Sequence, residues 1–445
     1  MSLVHDGVVY ANKVILAPMV HAGRTPLRTG IQWLLRLLAL EYGADLAYTE
    51  EIVDQKLLSS TKVYNEKLGT TDYVVENDVV LRICDAKEKK KCVLQVGTND
   101  AEKAVKVARL ISKDVAAIDI NMGCPRPFSV SSGMGAALLS QPEKVTKILS
   151  HLVPASDVPV SCKIRVLDKL EDTIALAQLI EKCGVSAIGV HGRRINERRG
   201  DRNRTEEIRE VARSVRIPVI ANGASGSIKD YSDIEKFRLE SGASSVMIAR
   251  KALTNPSIFR KSGILASVEE EVKSFLKLAC EYDENFTMTK YVVQRMLGSA
   301  QVEVFFIKNR SLIFREFDRR GQETVSASNV YEICKAWSME GTYNYYKELR
   351  CKKKEKEVDE TTGLCCIDIT FAPRKLKSYC GSGTPKCVLN TLCDERHLNR
   401  PIYYCKCRPT DKRYEAVVEV AGQKFLSRVG QPNKKMAEQV KIFFI

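Results

Sequence analysis

Eight short apolar runs, each followed by a loop and most then by an amphipathic stretch, constrain this chain more than any other feature. They are Val14–Pro18, Leu46–Glu50, Val93–Gly97, Ala117–Asn121, Val160–Val166, Ala187–Gly192, Pro218–Gly223 and Ser245–Arg250. Bounded apolar runs of this length read as strands buried on both faces, as in parallel sheets. Helices are expected between them over Asp100–Ser112, Glu171–Cys183, Glu206–Val215 and Asp230–Ser241. In the first, Ala101, Ala104, Val105, Ala108 and Ile111 share one face. Eight alternating units fit a TIM (β/α)8 barrel, in the α/β class. A doubly wound open sheet is disfavoured, because no G-x-G-x-x-G follows the first strand.

In such a barrel, functional residues gather at the C-terminal ends of the strands. Here those ends carry Pro18-Met19, Gln95, Asn121, Cys124, Lys163, His191, Asn222-Gly223 and Ala249-Arg250. The stretch AIDINMGCPRPFSVSSGMG, residues 117–135, runs from a strand into a loop that locks Cys124 between Gly123 and Pro125. Alone, it fits a structural thiol in a tight turn as well as a reactive one. The coincidence of so many special residues on one rim decides for the reactive reading.

The ends of strands seven and eight, Ala221-Asn222-Gly223-Ala224-Ser225-Gly226 and Ala249-Arg250, fall where barrels hold phosphate. Small residues there let backbone N–H groups approach phosphate oxygens, and Arg250 offers a fork of donors. With no second phosphate site apparent, a mononucleotide fits better than a dinucleotide. Lys163 and His191 would then face the ring of the ligand. A cation near the pyrimidine edge of a flavin stabilises the reduced anion.

Bulk properties narrow the class of partner. The 445 residues exceed one core, so two or three domains are expected. A formal charge of +15 points to polyanions. No apolar run is long enough to span a bilayer, and the N-terminus lacks a signal-peptide pattern. Fifteen cysteines, an odd number at scattered spacing, read as reduced thiols. A cytoplasmic monomer with no membrane association is expected.

At this point the sequence resembles the tRNA-dihydrouridine synthases, through L-A-P-M, I-D-I-N-M-G-C-P, C-K-I-R, V-H-G-R and I-A-N-G. The resemblance covers roughly residues 12–345, as a barrel plus a helical domain. It implies FMN as cofactor, NADPH as reductant and reduction of the uracil 5,6 double bond in tRNA. The stretch after Arg193 resembles the eukaryotic branch that modifies position 20 of the D-loop and carries an extra RNA-binding domain. In that chemistry hydride from flavin N5 reaches uracil C6 and a proton is needed at C5. A free thiol has a pKa of about 8.5 and is mostly protonated at neutral pH, so Cys124 suits a general acid. Asn121 and Lys163 would bind uracil or flavin carbonyls, and loop 125–135 would close on Gly133 and Gly135. By the same comparison, Pro18, Met19, Val20, Gln95, Lys163, His191, Asn222, Gly223, Ala224, Ala249 and Arg250 form the cofactor site.

The domains read as a barrel over 1–265, a helical tRNA-docking domain over 266–349, a charged linker over 350–373 and an RNA-binding domain over 374–445. The last follows the order helix, strand, strand, strand, helix over Pro385–His397, Pro401–Arg408, Tyr414–Val420, Gln423–Val429 and Lys434–Phe443. That α-β-β-β-α order resembles a double-stranded RNA-binding domain. Lys434 and Lys435 oppose the dipole of the helix they open, which makes sense if they face phosphates across the A-form major groove. Arg374, Lys375 and Lys377 extend the same positive surface. No C-x-x-C pair occurs among the nearby cysteines, so no metal is expected.

One departure from the family stands out. Thr29–Arg36, TGIQWLLR, interrupts the run expected between Pro26-Leu27-Arg28 and Leu37-Leu38-Ala39-Leu40. As helix it would add about 12 Å, so it is expected to be peripheral and removable, exposing Trp33 and Leu34. Two rival functions share many of these features. A flavin dehydrogenase of free pyrimidines would need no RNA-binding module, and a non-catalytic tRNA binder would not need Cys124, Lys163, His191 and Arg250.

Overall fold

The computed structural model describes residues 10–19, 33–75, 78–198, 200–298, 315–352, 364–366, 385–409 and 411–439. Its chain divides into two compact units, 1–347 and 348–445.

In the first unit the strands are β1 (Val14–Leu16), β2 (Leu46–Tyr48), β3 (Ile52–Val53), β4 (Thr61–Asn65), β5 (Thr70–Val75), β6 (Asp78–Cys84), β7 (Cys92–Gly97), β8 (Ala117–Asn121), β9 (Val160–Arg165), β10 (Ala187–His191), β11 (Val219–Asn222) and β12 (Ser245–Ile248). Eight of them run parallel in the order β2-β1-β12-β11-β10-β9-β8-β7, and β2 pairs with β7 to close the ring. This is the expected (β/α)8 barrel. Its interior is filled by Ile15, Ala17, Leu46, Tyr48, Val93, Ala117, Ala187, Ile220 and Met247. The larger core lies between strands and helices. On Ala101–Ile111 the buried face is Ala101, Ala104, Val107, Ala108 and Ile111; Val107 takes the place expected for Val105, which is only half-buried.

One element is not expected from the sequence reading. Between β2 and β7 the strands β4, β5 and β6 form an antiparallel three-stranded sheet. The β-branched and aromatic residues of TTDYVV and DVVLRIC are the signal that points to it.

The helical region that follows the barrel contains Val268–Glu281, Phe286–Met296, Arg315–Ser326, Val330–Ala336 and Glu340–Lys352. Ser267 opens it with a capping box, its side chain accepting from Glu270 N while Glu270 returns a bond to Ser267 N. This region and the barrel share one compact unit through the first barrel helix, Trp33–Glu41.

That helix overturns the expectation of a peripheral insertion. Residues 29–32 lie outside the described residues, but Trp33 through Ala39 are all buried. Leu35 and Ala39 pack into the barrel core, while Trp33, Leu34, Leu37 and Leu38 pack with Val272, Phe275, Leu276 and Ile333 of the helical region. Arg36 is 1% exposed and its Nε donates to Glu88 Oε2 at 2.8 Å. Glu88 Oε1 also accepts from Trp33 Nε1 at 2.9 Å and Cys84 N at 3.0 Å. An apolar helix that serves two cores has no room for a polar face, which is why TGIQWLLR reads as an anomaly beside an ordinary barrel helix.

The second unit contains Pro385–Glu395, then β14 (Ile402–Cys407), β15 (Tyr414–Val420) and β16 (Gln423–Gln431), then Lys434–Gln439, with β13 (Cys365–Cys366) preceding them. The sheet order is β13-β16-β15-β14. Cys365 and Cys366, read from sequence as linker, pair in parallel with Phe425 and Leu426. Leu389, Cys393, Val418, Val420 and Phe425 form the small core. Among the described residues no helix is long and apolar enough to cross a membrane.

Candidate active site at the barrel mouth

The C-terminal ends of the strands surround a cavity of about 420 Å³, within the roughly 300–1,000 Å³ usual for small-molecule sites. Pro18, Gln95, Asn121, Cys124, Lys163, His191, Asn222, Gly223, Ala249 and Arg250 line it. Met19 and Ala224 are not among its lining residues: Met19 packs against the barrel core and Ala224 is buried. Val20, Arg374, Lys375 and Lys377 lie outside the described residues. Ser225, within the stretch expected to hold phosphate, also lines the cavity, as do Arg165, Arg193, Glu197 and Arg198, which sequence reasoning missed. Arg165 follows Lys163, and Arg193 follows His191, by the two-residue step that returns a strand side chain to the same face. That periodicity was the usable signal.

Asn121 is more committed than expected. Its Oδ1 accepts from the backbone N–H of Gly123 and of Cys124, both at 2.9 Å. Its Nδ2 donates to Gln95 Oε1 at 3.0 Å, and Gln95 Nε2 donates to Asp119 Oδ2 at 2.8 Å. Asp119 in turn accepts from Ser161 Oγ at 2.7 Å. A carboxylate that accepts fixes the orientation of both amides, so the polar core of the barrel dictates how Asn121 holds the Cys124 turn. Burial pushes Asp119 up to about 6. Arg165 Nε closes the turn from the other strand by donating to Gly123 O at 2.7 Å.

Cys124 is 7% exposed. Burial first, then the neighbouring charge of Glu51, pushes its thiol up to about 12. It is therefore a protonated group at neutral pH. The following loop is built rather than loose: Ala136 N donates to Cys124 O and Met134 N to Ser129 O. Gly135 has φ +57°, and a Cβ there would lie 2.7 Å from Cys124 O and 3.1 Å from Cys124 Cβ. Close approach, in addition to any freedom to bend, requires that glycine.

Burial, with Arg165 beside it, pushes Lys163 down to about 8, against the pull of Asp119 and Cys124. Gly189 on β10 makes room for its stem, since a Cβ there would stand 3.2 Å from Lys163 Cγ. His191 is held neutral, well below its ordinary range, by burial and then by Lys163, Arg165, Arg193 and Arg250. Arg193 Nη1 is 3.3 Å from His191 Nε2. A guanidinium can only donate, so Nε2 accepts and the proton sits on Nδ1.

The far side of the cavity is a cradle. Gly223 adopts φ +120° at the end of β11, and an added Cβ would stand 2.8 Å from His191 Cδ2. Arg193 Nη1 donates to Gly223 O at 2.8 Å, and Asn222 Nδ2 to Met247 O at 2.9 Å. Asn203, packed against Gly192 and Gly223, keeps Oδ1 and Nδ2 buried without hydrogen-bond partners. Among the described residues Glu197 is the one carboxylate on the lining, and Arg204 binds both its oxygens at 2.6 Å, which holds it down to about 2. Lys163, Arg165, Arg193, Arg198 and Arg250 thus leave a cationic cavity. Such a cavity accepts a phosphate-bearing ligand.

In the second unit Lys434 and Lys435 are exposed at the start of the final helix, which Asn433 caps by accepting from Met436 N at 2.9 Å. Capping offsets the unfavourable placement of two lysines at a helix N-terminus.

Comparison with known proteins agrees with both units. The dihydrouridine synthase (Dus) family matches residues 16–322, and the double-stranded RNA binding motif matches residues 385–440. The tRNA-dihydrouridine(20) synthase (NAD(P)+) of Schizosaccharomyces pombe is 38% identical over 339 residues, covering 73% of this chain and 68% of its own. The enzyme of the same name from Saccharomyces cerevisiae is 32% identical over 354 residues, covering 74% and 90%. A crystal structure of a tRNA-dihydrouridine(20) synthase dsRBD domain is 32% identical over 18% of this chain and 83% of that one, with a TM-score of 0.16. The chain belongs to the dihydrouridine synthase family of enzymes and carries a C-terminal double-stranded RNA binding motif.

Proposed function

We propose that this protein reduces uridine 20 in the D-loop of tRNA to 5,6-dihydrouridine, with FMN in the barrel mouth and NADPH as reductant. The observation that carries the reading is a buried, protonated Cys124 on the wall of a cationic cavity, in a chain that also carries an RNA-binding module. The residues present fit FMN. Gly223, Ala249 and Arg250 form the end that suits its phosphate. Gln95, Lys163 and neutral His191 line the part that suits its ring. Bound there, the flavin would supply the hydride that adds to uracil C6.

The protein's own part is protonation and placement. Hydride addition leaves charge at C5, and Cys124 gives its thiol proton to that carbon. A thiol with a lowered pKa would be a nucleophile; burial beside a carboxylate makes this one an acid. Asn121 and Arg165 hold its turn still. Lys163 stabilises negative charge on the ring or on uracil carbonyls. Lys434 and Lys435 contact tRNA phosphates, as do Arg374, Lys375 and Lys377.

A dehydrogenase of free pyrimidines would share the cavity, and a retired tRNA binder would share the second unit. Purified protein should show flavin absorbance that NADPH bleaches and that tRNA, not uracil, restores without oxygen. Restoration by uracil alone, or absence of flavin, would overturn the proposal.

A further inference from the structure

Glu51 has no part in the chemistry above, yet it is buried beside its proton donor. It immediately precedes β3 and is 7% exposed. Its Oε1 accepts from Ser129 Oγ at 2.7 Å, and Ser129 is itself fully buried in the short helix Pro127–Val130 after Cys124. Its Oε2 is buried with no hydrogen-bond partner. Two glycines make the room: a Cβ on Gly97 would lie 2.7 Å from Glu51 Oε1, and one on Gly135 would strike both Ser129 Oγ and Cys124 Cβ. Thiol, hydroxyl and carboxylate are thus packed together. The cations that face Cys124, Lys163 and Arg165, both stand on β9. The groups that act on Glu51, among the described residues, are Cys124 and Ser129, neither of them a cation.

We propose that Glu51 and Cys124 act as a pair that holds one proton between them, with Glu51 fixing Cys124 as the member that carries it. The proposal rests on the reading of Cys124 as proton donor. Two anions side by side in a buried site are strongly disfavoured. When the S–H bond of Cys124 breaks and its proton forms the C5–H bond, the electron pair stays on sulfur beside the carboxylate. The pair then takes one proton from solvent, which restores the S–H bond. Glu51 is a positioning residue in this scheme: it touches neither flavin nor uracil. It shortens the life of the thiolate and keeps Cys124 from behaving as a nucleophile, which Lys163 and Arg165 alone would encourage. The directions agree, since burial raises the Glu51 carboxyl and Glu51 raises the Cys124 thiol.

The test reads the thiol directly. Flavin-loaded protein is alkylated with iodoacetamide from roughly pH 6 to pH 10, a range that brackets the ordinary thiol value of about 8.5. The Cys124 peptide is quantified by mass spectrometry, with the exposed Cys387 and Cys407 as internal standards. In the native protein Cys124 should remain slow across the range. Glu51→Gln should move its midpoint downward, with burial still holding it above the ordinary thiol value, and should raise alkylation at pH 8 by about ten-fold. Glu51→Asp, which keeps the charge, should stay slow. An unchanged profile in Glu51→Gln overturns the proposal. So does a native Cys124 that titrates like the exposed thiols, a result that needs no variant to fold. Because the assay uses no tRNA, failure here is distinct from failure of the proposed reaction.

Discussion

Replacing Arg36 by methionine should destabilise the first unit by about 3–5 kcal/mol, the usual cost of removing one partner from a buried ion pair. The structure supplies the reasons. Arg36 and Glu88 are 1% and 0% exposed, and the guanidinium makes three hydrogen bonds, two to Glu88 and one to Arg82 O. Methionine fills much of the volume but leaves Glu88 as an uncompensated buried charge. Trp33 and Cys84 still donate to that carboxylate, which keeps the cost from being larger. Glu88→Ala should therefore be worse. It strands the Arg36 charge and also leaves Trp33 Nε1 and Cys84 N without an acceptor, each about 1–3 kcal/mol more. At about 2 °C per kcal/mol, the low end for large domains, Arg36→Met should lower the melting temperature by roughly 6–10 °C. Deleting Thr29–Arg36 should abolish the melting transition and the bound flavin, because it removes Leu35 from one core, Trp33 and Leu34 from the other, and the buried partner of Glu88. Circular dichroism melts of the purified variants decide the matter. An Arg36→Met protein that melts within a degree of the native one, or an active deletion variant, would refute the two-core role of this helix.

Cys124→Ala should fold, retain flavin and be reduced by NADPH, while turnover on tRNA falls by about 10²–10⁴, the range for loss of a general acid; single-turnover kinetics measure it. Lys434→Ala combined with Lys435→Ala should weaken tRNA binding without changing flavin content, and should reduce the log–log salt slope by roughly 0.7–0.9 for each phosphate no longer neutralised. Lys163 is cationic below about 8 and loses its charge above it. FMN binding to the flavin-free protein should therefore weaken as pH rises from roughly 7 to 9, and Lys163→Arg should flatten that dependence because arginine stays charged. Titration calorimetry across that range reads the result.

The barrel was legible because each of its strands is a bounded apolar run with a special residue at one end, and β7 through β12 lie where those runs fall. Strand order along the chain also places Cys124, Lys163, His191, Gly223 and Arg250 on one rim, where the cavity is found. What sequence could not show is what each side chain is bonded to. Asn121 reads as a ligand for uracil, yet its oxygen is taken up by two backbone amides, and only three-dimensional contact with Gln95 and Asp119 explains its orientation. Arg165 and Arg193 look like ordinary charged residues after a strand until Gly123 O and Gly223 O are seen to accept from them. Glu51 was invisible for the same reason, because it is far from Cys124 in sequence and packed beside it in space. The misread insertion has a different cause. Apolar content on all faces of Trp33–Glu41 is inexplicable for a helix with one buried side, and becomes necessary once a second core is stacked on the first.

The central claim is a reaction at one base in one RNA, and nucleotide-resolution mapping tests it most directly. Unmodified tRNA transcripts would be incubated with the purified full chain, FMN and NADPH, and dihydrouridine located along the sequence. Dihydrouridine is expected at position 20 with the native protein and should be nearly absent with Cys124→Ala. Modification confined to other positions, no modification at all, or equal modification by Cys124→Ala would contradict the claim.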